Sequence, residues 1–462
     1  MWTGDAAHPD ADAVAIVGDR IVDVGSAGDI DRWRGAATEV VDAGGRRVVP
    51  GFNDAHVHFA AGGDELVSVD LRDATSAAEF ARRIVERARA RPGEWVLGGR
   101  WDERRWSDPR PPTRALIDDG TNGTPVLVTR ADGRAALANS AALGRAGITE
   151  HTPDPIGGAI VRDEQGFPTG LLEGAAVDAV TRVIPKRTAD ERRQAIARAL
   201  DHAESFGVTS VQDMDPDPAD VAVYAELDER GALTTRIYAM PGEARWFEQA
   251  RLGIRRAFGS SRLRLGGVSG DAVSTGADDV LTRLMAADHA GLQLCLNAER
   301  DGAGSAIDLL ASVVRANRER DRRMRIEHGE RISAADVERV ATLGAIASVQ
   351  PAAADADAVR RLAARRVRLA MATDWPSASL NPMIGLAAAV RWMPIADAIA
   401  AYTAGGAFAE FQDAVKGTIV RGALADLVVL SDDVLRAPAD RLAAIAVVTT
   451  IAGGRVVHQR RP

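Results

Sequence analysis

Cysteine, long apolar runs and blocks of one charge sign are all scarce in this sequence of 462 residues. Cys295 is the only cysteine, so no disulfide can form within the chain, and a reducing cytoplasm is the expected location. No run of about 20 apolar residues occurs, which excludes a membrane-spanning helix. The formal net charge of −8 is not concentrated in any segment. We therefore expect neither nucleic acid nor an anionic membrane as a partner.

Lysine is also nearly absent, since Lys186 and Lys416 are the only two among 57 basic residues. We expect neither lysine within the core of the barrel predicted below. The sequence contains no G-x-S-x-G motif and no P-loop, so it offers no signature of a serine hydrolase or of a nucleotide-binding protein. What is abundant is apolar: 46% of the residues are hydrophobic and 26% are charged, which is enough for a large folded core.

The middle of the chain alternates between apolar, strand-like runs and amphipathic stretches rich in alanine and arginine. The predicted strands are Val48–His58, Val208–Asp213, Thr235–Met240, Leu263–Ser269, Leu292–Asn297, Met324–His328, Ala345–Gln350 and Arg368–Asp374. Eight such units favour an α/β protein built as a (β/α)8 TIM barrel. A doubly wound open sheet is the competing arrangement.

Both ends of the chain differ from the middle, because they contain short strand-like runs separated by turns. The runs are Ala13–Val17, Ile21–Val24, Ala425–Leu430, Ile445–Ile451 and Arg455–His458. Chain termini often lie close together, so we expect residues 1–50 and 405–462 to form one small β-sandwich domain. Residues 51–404 then form the barrel. Residues 65–185 break the alternation and are predicted to be an insertion after the first strand that covers the site, since the loops after barrel strands surround the active site.

The pair His56 and His58 ends the first predicted strand. Alternate residues of a strand point to the same face. Two imidazoles with this spacing can therefore bind one metal ion at about 2.0–2.1 Å. A chance occurrence of the pattern is the alternative, in a chain with eight histidines.

Two more candidates lie where later strands are predicted to end. His328 follows the run Arg325–Glu327 and is expected to be a metal ligand or a donor to the attacked oxygen, with strand capping as the alternative. Asp374 can bind metal and take a proton from the attacking water, with a turn role as the alternative. A barrel brings the C-terminal ends of its strands to one mouth, so these groups and the first two histidines are predicted to converge.

Three segments together resemble the amidohydrolase superfamily: PGFNDAHVHF (50–59), RIEHG (325–329) and ATDWP (372–376). Further segments resemble its amidohydrolase-3 branch, which includes N-substituted formamide deformylases; they are GGRWD (98–102), PTR (112–114), TRADG (129–133), ANSAAL (138–143), TPDPIGG (152–158), PTG (168–170), GVTSV (207–211), LNP (380–382) and ADLVVL (425–430). The resemblance implies a metal-dependent barrel with a small β-sandwich. It also implies hydrolysis of a C–N bond in an amide-like small molecule, with metal ligands at His56, His58, His328 and Asp374.

The chain departs from this branch at the metal site. Ser269 stands where two-metal members carry a bridging lysine, Asn297 replaces the histidine that ends strand five, and Arg134 replaces the histidine of an Asp-Gly-His motif. A lysine-bridged pair of metals is therefore excluded. Three protein ligands still suffice for a catalytic zinc, so we expect one divalent ion, zinc. Three carboxylates are candidate replacement ligands, with a solvated or loop position as the alternative for each: Glu173, Asp271 and Glu299.

The sequence thus predicts a bacterial, cytoplasmic, metal-dependent hydrolase of C–N bonds, with an amide, formamide or related substrate. Asn297, Arg130, Asp132 and Trp101 are the predicted substrate contacts, and a structural role in the loop is the alternative for the last three. An arginine can pair with a substrate carboxylate in bidentate fashion. The alternative is a catalytically degenerate barrel that binds a small molecule or a partner protein. The oligomeric state stays open, with a homodimer among the assemblies considered.

Overall fold

The structure, a computed structural model, describes residues 1–272, 277–298 and 302–460. The chain divides into two compact units, the first made of residues 1–62 and 199–462 and the second of residues 63–198. Within the described ranges, we find no helix with the length and apolar character needed to cross a membrane.

Eight parallel strands organise the first unit. They are β1 (Phe52–Val57), β2 (Val208–Met214), β3 (Arg236–Met240), β4 (Gly267–Asp271), β5 (Gln293–Asn297), β6 (Arg325–Glu327), β7 (Ile346–Val349) and β8 (Leu369–Met371). The first three pair in one sheet and the last five in another. Single parallel bridges, Gly242 with Ser269 and Val57 with Trp375, connect the two sheets at both ends. This order is consistent with the predicted (β/α)8 barrel.

Helices separate these strands, as parallel pairing requires. They are Phe59–Val67, Ala189–Ser205, Pro218–Glu229, Trp246–Arg251, Ala277–His289, Ala303–Ala316, Val337–Leu343, Ala356–Ala364, Pro382–Ala389, Ile395–Ala400 and Gly406–Ala409, with a π-helical turn at Ala401–Gly405. Several begin at a side chain that accepts a backbone N–H; Asp217 caps Pro218–Glu229 in this way, and Asp355 caps Ala356–Ala364. Every residue of β1 and β2 is buried, as expected for parallel strands covered on both faces, and the buried set includes polar side chains such as Asp54 and Asp213.

Two predicted strands are each divided in the structure. The predicted Val48–His58 is interrupted at Gly51, and its first part, Val48–Pro50, belongs to a different sheet from β1. The predicted Leu263–Ser269 is interrupted at Gly266, whose φ of +111° favours glycine. Its first part, Leu263–Leu265, pairs beside β3, and only the second part begins β4.

A small sheet forms from both chain ends. Its strand order is Arg455–Gln459, Val447–Ala452, Leu427–Leu430 and Val48–Pro50, all antiparallel. The hairpin Ala13–Val17 with Arg20–Gly25 forms a separate two-stranded sheet. Ile21 from the hairpin shares a hydrophobic cluster with Val48, Leu427 and Ile451 from the four-stranded sheet, so the two sheets pack through their apolar faces.

The second unit contains a six-stranded mixed sheet. Its order is Val69–Asp70, Val96–Trp101, Val126–Arg130, Ala135–Ala138, Pro168–Gly174 and Gly158–Arg162. The helices Ala77–Ala90, Asp118–Thr121, Ser140–Arg145 and Ala176–Thr181 accompany it. The longest of them begins at Ser76, whose hydroxyl accepts the N–H of Glu79. The predicted insertion, 65–185, lies inside this unit, and its proposed role as a cover for the site stays a prediction.

Candidate metal centre

His56, His58 and Asp374 present one ligand atom each to a common point. All three atoms lie within 4.8 Å of one another. Oδ1 of Asp374 is 3.5 Å from Nε2 of His56 and 3.6 Å from Nε2 of His58. Ligand atoms of a tetrahedral zinc site with bonds near 2.05 Å are ~3.4 Å apart, so the donor set fits one such ion. The His58 side chain is 42% exposed while those of His56 and Asp374 are 5% and 13% exposed, which leaves the site open to solvent at His58.

Backbone hydrogen bonds bring the carboxylate to the two histidines. The N–H of Asp374 donates to the carbonyl of His56 at 2.8 Å, and the N–H of His58 donates to the carbonyl of Trp375 at 2.8 Å. The segment after β8 therefore continues the parallel ladder beside the end of β1. Asp54 also connects these two segments, because its buried carboxylate accepts hydrogen bonds from the N–H groups of His56 and Thr373 and from the hydroxyl of Thr373.

Hydrogen bonds also fix the tautomer of both candidate ligand histidines. Nδ1 of His58 lies 3.0 Å from the carbonyl oxygen of Met214, which can only accept, so Nδ1 carries the proton. Nδ1 of His56 lies 3.0 Å from Oε2 of Glu327. In both rings Nε2 is left with its lone pair directed to the cluster, which is the form that binds metal. Burial and the neighbouring His56 lower the pKa of His58, and this also favours the neutral ligand.

Glu327 is a buried carboxylate that was not among the predicted site residues. Burial alone would raise its pKa, but the charge of Arg325 and the hydrogen bond with His56 outweigh burial and lower the pKa to about 2. The side chain is therefore an anion behind the ring of His56. The signal in the sequence is the placement of Arg325 and Glu327 within a strand that is otherwise apolar, because charged residues are almost never fully buried unless paired.

His328 lies beside the three-residue cluster. It follows β6 with φ of +56°, is 4% exposed, and its ring centroid is 5.3 Å from that of His56. Within the described ranges, the group able to hold an ion comprises His56, His58 and Asp374 without His328. Its Nδ1 is 3.3 Å from Oε1 of Glu330 and 3.2 Å from Nε2 of Gln350. If Nδ1 donates its proton to Glu330, Nε2 is an acceptor. If Nδ1 instead accepts a hydrogen bond from the amide of Gln350, the ring proton is on Nε2, where it can be donated to a substrate oxygen.

The positions that depart from the branch are occupied by side chains with other roles. Ser269, on β4, donates its hydroxyl to the carbonyl of Met240 at 3.1 Å. Asn297 ends β5 and is half-buried, opposite Asp271 in the register. Asp271 and Glu173 are exposed and are not part of the metal group, so the structure does not support them as replacement ligands. Glu299 lies outside the described residues.

The expectation for Lys416 is wrong. Its side chain is 5% exposed, and its ammonium group donates to the hydroxyl of Ser210 on β2 at 2.7 Å. Nζ also pairs with Oε1 of Glu410 at 2.5 Å. A lysine is almost never fully buried unless it is paired, and only the tertiary structure supplies that partner. Because Nζ is already bound to these two groups, it does not take the place of the lysine that is missing from β4.

The predicted substrate contact at Trp101, in the second unit, is wrong. Its side chain has no exposed surface and packs edge-on against Phe80, with ring centroids 5.5 Å apart. It is therefore a core residue. Arg130 pairs with Asp132, with the shortest contact at 2.8 Å, and lies 3.5 Å from Glu103. Arg130 also lines a surface depression of about 630 Å³, so its contact with a substrate stays a prediction.

Comparison with known proteins extends these observations. The sequence profile described as the amidohydrolase family matches residues 39–458. Protein LONG AFTER FAR-RED 3 of Arabidopsis thaliana is 34% identical over 93% of this chain and 86% of its own length. N-substituted formamide deformylase of Arthrobacter pascens is 26% identical over 99% of this chain and 97% of its own. A crystal structure of an uncharacterized metal-dependent hydrolase from Pyrococcus horikoshii OT3 superimposes with a TM-score of 0.74 at 23% identity, covering 92% of this chain and 95% of that one.

Proposed function

The chain belongs to the amidohydrolase family, as the resemblance of its motifs predicted, and we propose that it hydrolyses a C–N bond of a small amide-like molecule. We also propose that the eight parallel strands form a (β/α)8 barrel whose mouth holds one divalent ion, zinc. The observation that carries the proposal is the convergence of His56, His58 and Asp374 with separations that suit one ion. The similarity to a formamide deformylase supports an amide or formamide as the substrate class.

The chemistry follows from the donor set. A divalent ion held by His56, His58 and Asp374 would supply Lewis-acid chemistry to a substrate carbonyl and would lower the pKa of a nucleophilic water to about 7. His56 and His58 hold the site through Nε2, because their Nδ1 atoms are already engaged. Asp374 directs Oδ1 to the two imidazoles, which leaves its second oxygen to accept the proton of the attacking water and return it to the leaving nitrogen. His328, with its proton on Nε2, orients the carbonyl.

The substrate contacts belong to the same proposal. Asn297 ends β5 and has an amide that can donate to a carbonyl or accept an N–H. Arg130 and Asp132 form a charged pair that can recognise a polar substituent of the substrate. We propose this role for these two residues and not for Trp101, which is a core residue. The cytoplasmic location and a possible homodimer remain predictions from the sequence.

The test combines metal analysis with turnover. Purified protein, stripped with a chelator and then given zinc, manganese or iron, is expected to bind one equivalent and to hydrolyse members of a library of N-substituted amides and formamides. Asp374→Asn should abolish turnover, whereas Asp397→Asn, which alters an exposed carboxylate outside the cluster, should not. Failure of the wild-type protein to bind any of the three metals contradicts the proposal.

A second function is favoured by Ser269 and Asn297, which stand where other members of the branch carry metal ligands. In that case the barrel binds a small molecule or a partner protein without turnover. Metal-loaded protein whose melting temperature rises with an amide, while no product forms over prolonged incubation, would support this function. Turnover that is lost in Asp374→Asn would exclude it.

A further inference from the structure

Arg325 and Glu327 form an ion pair in the interior of the first unit. Nε of Arg325 lies 2.8 Å from Oε1 of Glu327, and the two side chains are 0% and 2% exposed. Removing such charges from water costs several kcal/mol for each ion, and apolar residues of similar volume often stabilise a fold equally well. Stability alone therefore does not explain a buried pair at this position.

The surroundings of the pair point to His56. Oε2 of Glu327 is 3.0 Å from Nδ1 of His56, and the guanidinium of Arg325 donates to the same Oε2 at 3.1 Å. The guanidinium also donates to the carbonyl of Ala55, the residue before His56, and to Oε1 of Gln212 on β2. Arg325 is thus attached to the backbone of β1 next to the ligand, and it holds Glu327 against the ligand ring.

We propose that Glu327, held in place by Arg325, is a positioning residue that makes His56 a strong metal ligand. The inference rests on the proposed metal site. A carboxylate that accepts the Nδ1 proton fixes the tautomer and the orientation of the ring and increases the basicity of Nε2. Loss of such a partner typically weakens metal binding about 10- to 100-fold.

The chain offers a matched control in Glu410. Its carboxylate is also buried, with the side chain 3% exposed, and it is paired with a single cation, Lys416, at 2.5 Å. It accepts a hydrogen bond from Asn53 on β1 at 2.6 Å, and neither this bond nor the pair with Lys416 involves His56, His58 or Asp374. Neutralising Glu410 therefore disturbs a comparable buried pair without altering the contact with His56.

The experiment compares Glu327→Gln and Glu410→Gln in the full chain. Zinc dissociation constants are measured by competition with a chromophoric chelator, the absorption spectrum is recorded with cobalt in place of zinc, and the free energy of unfolding is measured without metal. We expect both variants to lose stability. Only Glu327→Gln should weaken zinc binding, about 10- to 100-fold, and change the cobalt spectrum.

A double variant protects the test against misfolding. Arg325→Met with Glu327→Leu removes both charges, and replacing a whole buried pair in this way is often neutral for stability. The zinc affinity of this double variant should nevertheless be lower than that of the wild type, as in Glu327→Gln. Wild-type zinc affinity in either Glu327 variant overturns the inference and leaves the proposed function intact. An equal loss in Glu410→Gln also overturns it, because loosening of the core would then be the cause. Absence of zinc binding in the wild-type protein overturns both proposals.

Discussion

The packing of Gly62 against Trp375 yields a prediction whose size follows from the coordinates. Gly62 lies in the helix Phe59–Val67, which begins immediately after His58, a proposed metal ligand. A Cβ atom at this position would be 2.2 Å from Cζ3 and 2.3 Å from Cη2 of Trp375. The indole cannot easily turn aside, because it is 5% exposed, stacks on His202 with centroids 5.4 Å apart and meets Phe59 edge-on at 5.9 Å.

Gly62→Ala should therefore destabilise the protein, although alanine is the better helix former. Ordinary contacts between carbon atoms begin at about 3.5 Å, so the ring or the helix must move by more than about 1 Å. The gain in helix propensity is at most about 1 kcal/mol. Overpacking of a core costs about 1–3 kcal/mol and sometimes more, so we expect a net loss of stability.

The same displacement should reach the proposed metal site, because Trp375 directly follows Asp374 and the Trp375 carbonyl accepts the N–H of His58. A functional site tolerates movements of only about 0.5 Å, so zinc affinity should fall together with stability. Denaturant unfolding and zinc titration of the same preparation measure the two effects.

Gly144→Ala is the control for Gly62→Ala. Gly144 lies in the helix Ser140–Arg145, and a Cβ there would meet no atom within 4 Å. This change should stabilise the protein by about 0.5–1 kcal/mol and leave zinc affinity unchanged. A Gly62→Ala protein that equals the wild type in both stability and zinc affinity would refute the reasoning.

Three further outcomes are expected. Burial raises the pKa of Asp213 from 3.8 to about 7, so its ionisation makes the folded metal-free protein lose stability as the pH rises from about 4 to 7. Asp213→Asn removes that loss, so the unfolding free energy of the variant relative to the wild type should increase over this range by up to roughly 4 kcal/mol. Urea unfolding that gives the same difference between the two proteins at every pH would contradict this. Lys416→Met leaves the buried Glu410 without its cation and should lower the free energy of unfolding by about 3–5 kcal/mol, measured with denaturant. Adding Glu410→Gln should restore part of that stability, and a single variant as stable as the wild type would show that the pair is not buried. Trp101→Ala should lower the melting temperature through a loss of about 3–5 kcal/mol, with kcat and KM unchanged where the variant is folded, and a raised KM would restore its assignment as a substrate contact.

Local patterns in the sequence predicted the alternation of strands and helices, the pair of histidines at the end of β1 and the family. These features depend on residues close together in the chain, such as the spacing of His56 and His58, and periodicity or motif expresses them directly. The strand limits were predicted less well. Gly51 and Gly266 interrupt two segments that the sequence predicted as single strands, and only backbone geometry and sheet pairing reveal where each strand ends.

Tertiary structure alone decided which groups support the site. Glu327 lies 271 positions from His56, and no local pattern indicates that it bonds to Nδ1 of that ring. The same holds for Lys416, whose ammonium group donates to Ser210 on β2, 206 positions away. It also holds for Trp101, because the sequence did not distinguish a substrate contact from a core residue at that position. The sequence by itself determined which residues could be ligands, because the chemistry of a side chain is local. Which of them share an ion and which carboxylate orients them depends on contacts between distant strands, and those exist only once the sheets have paired.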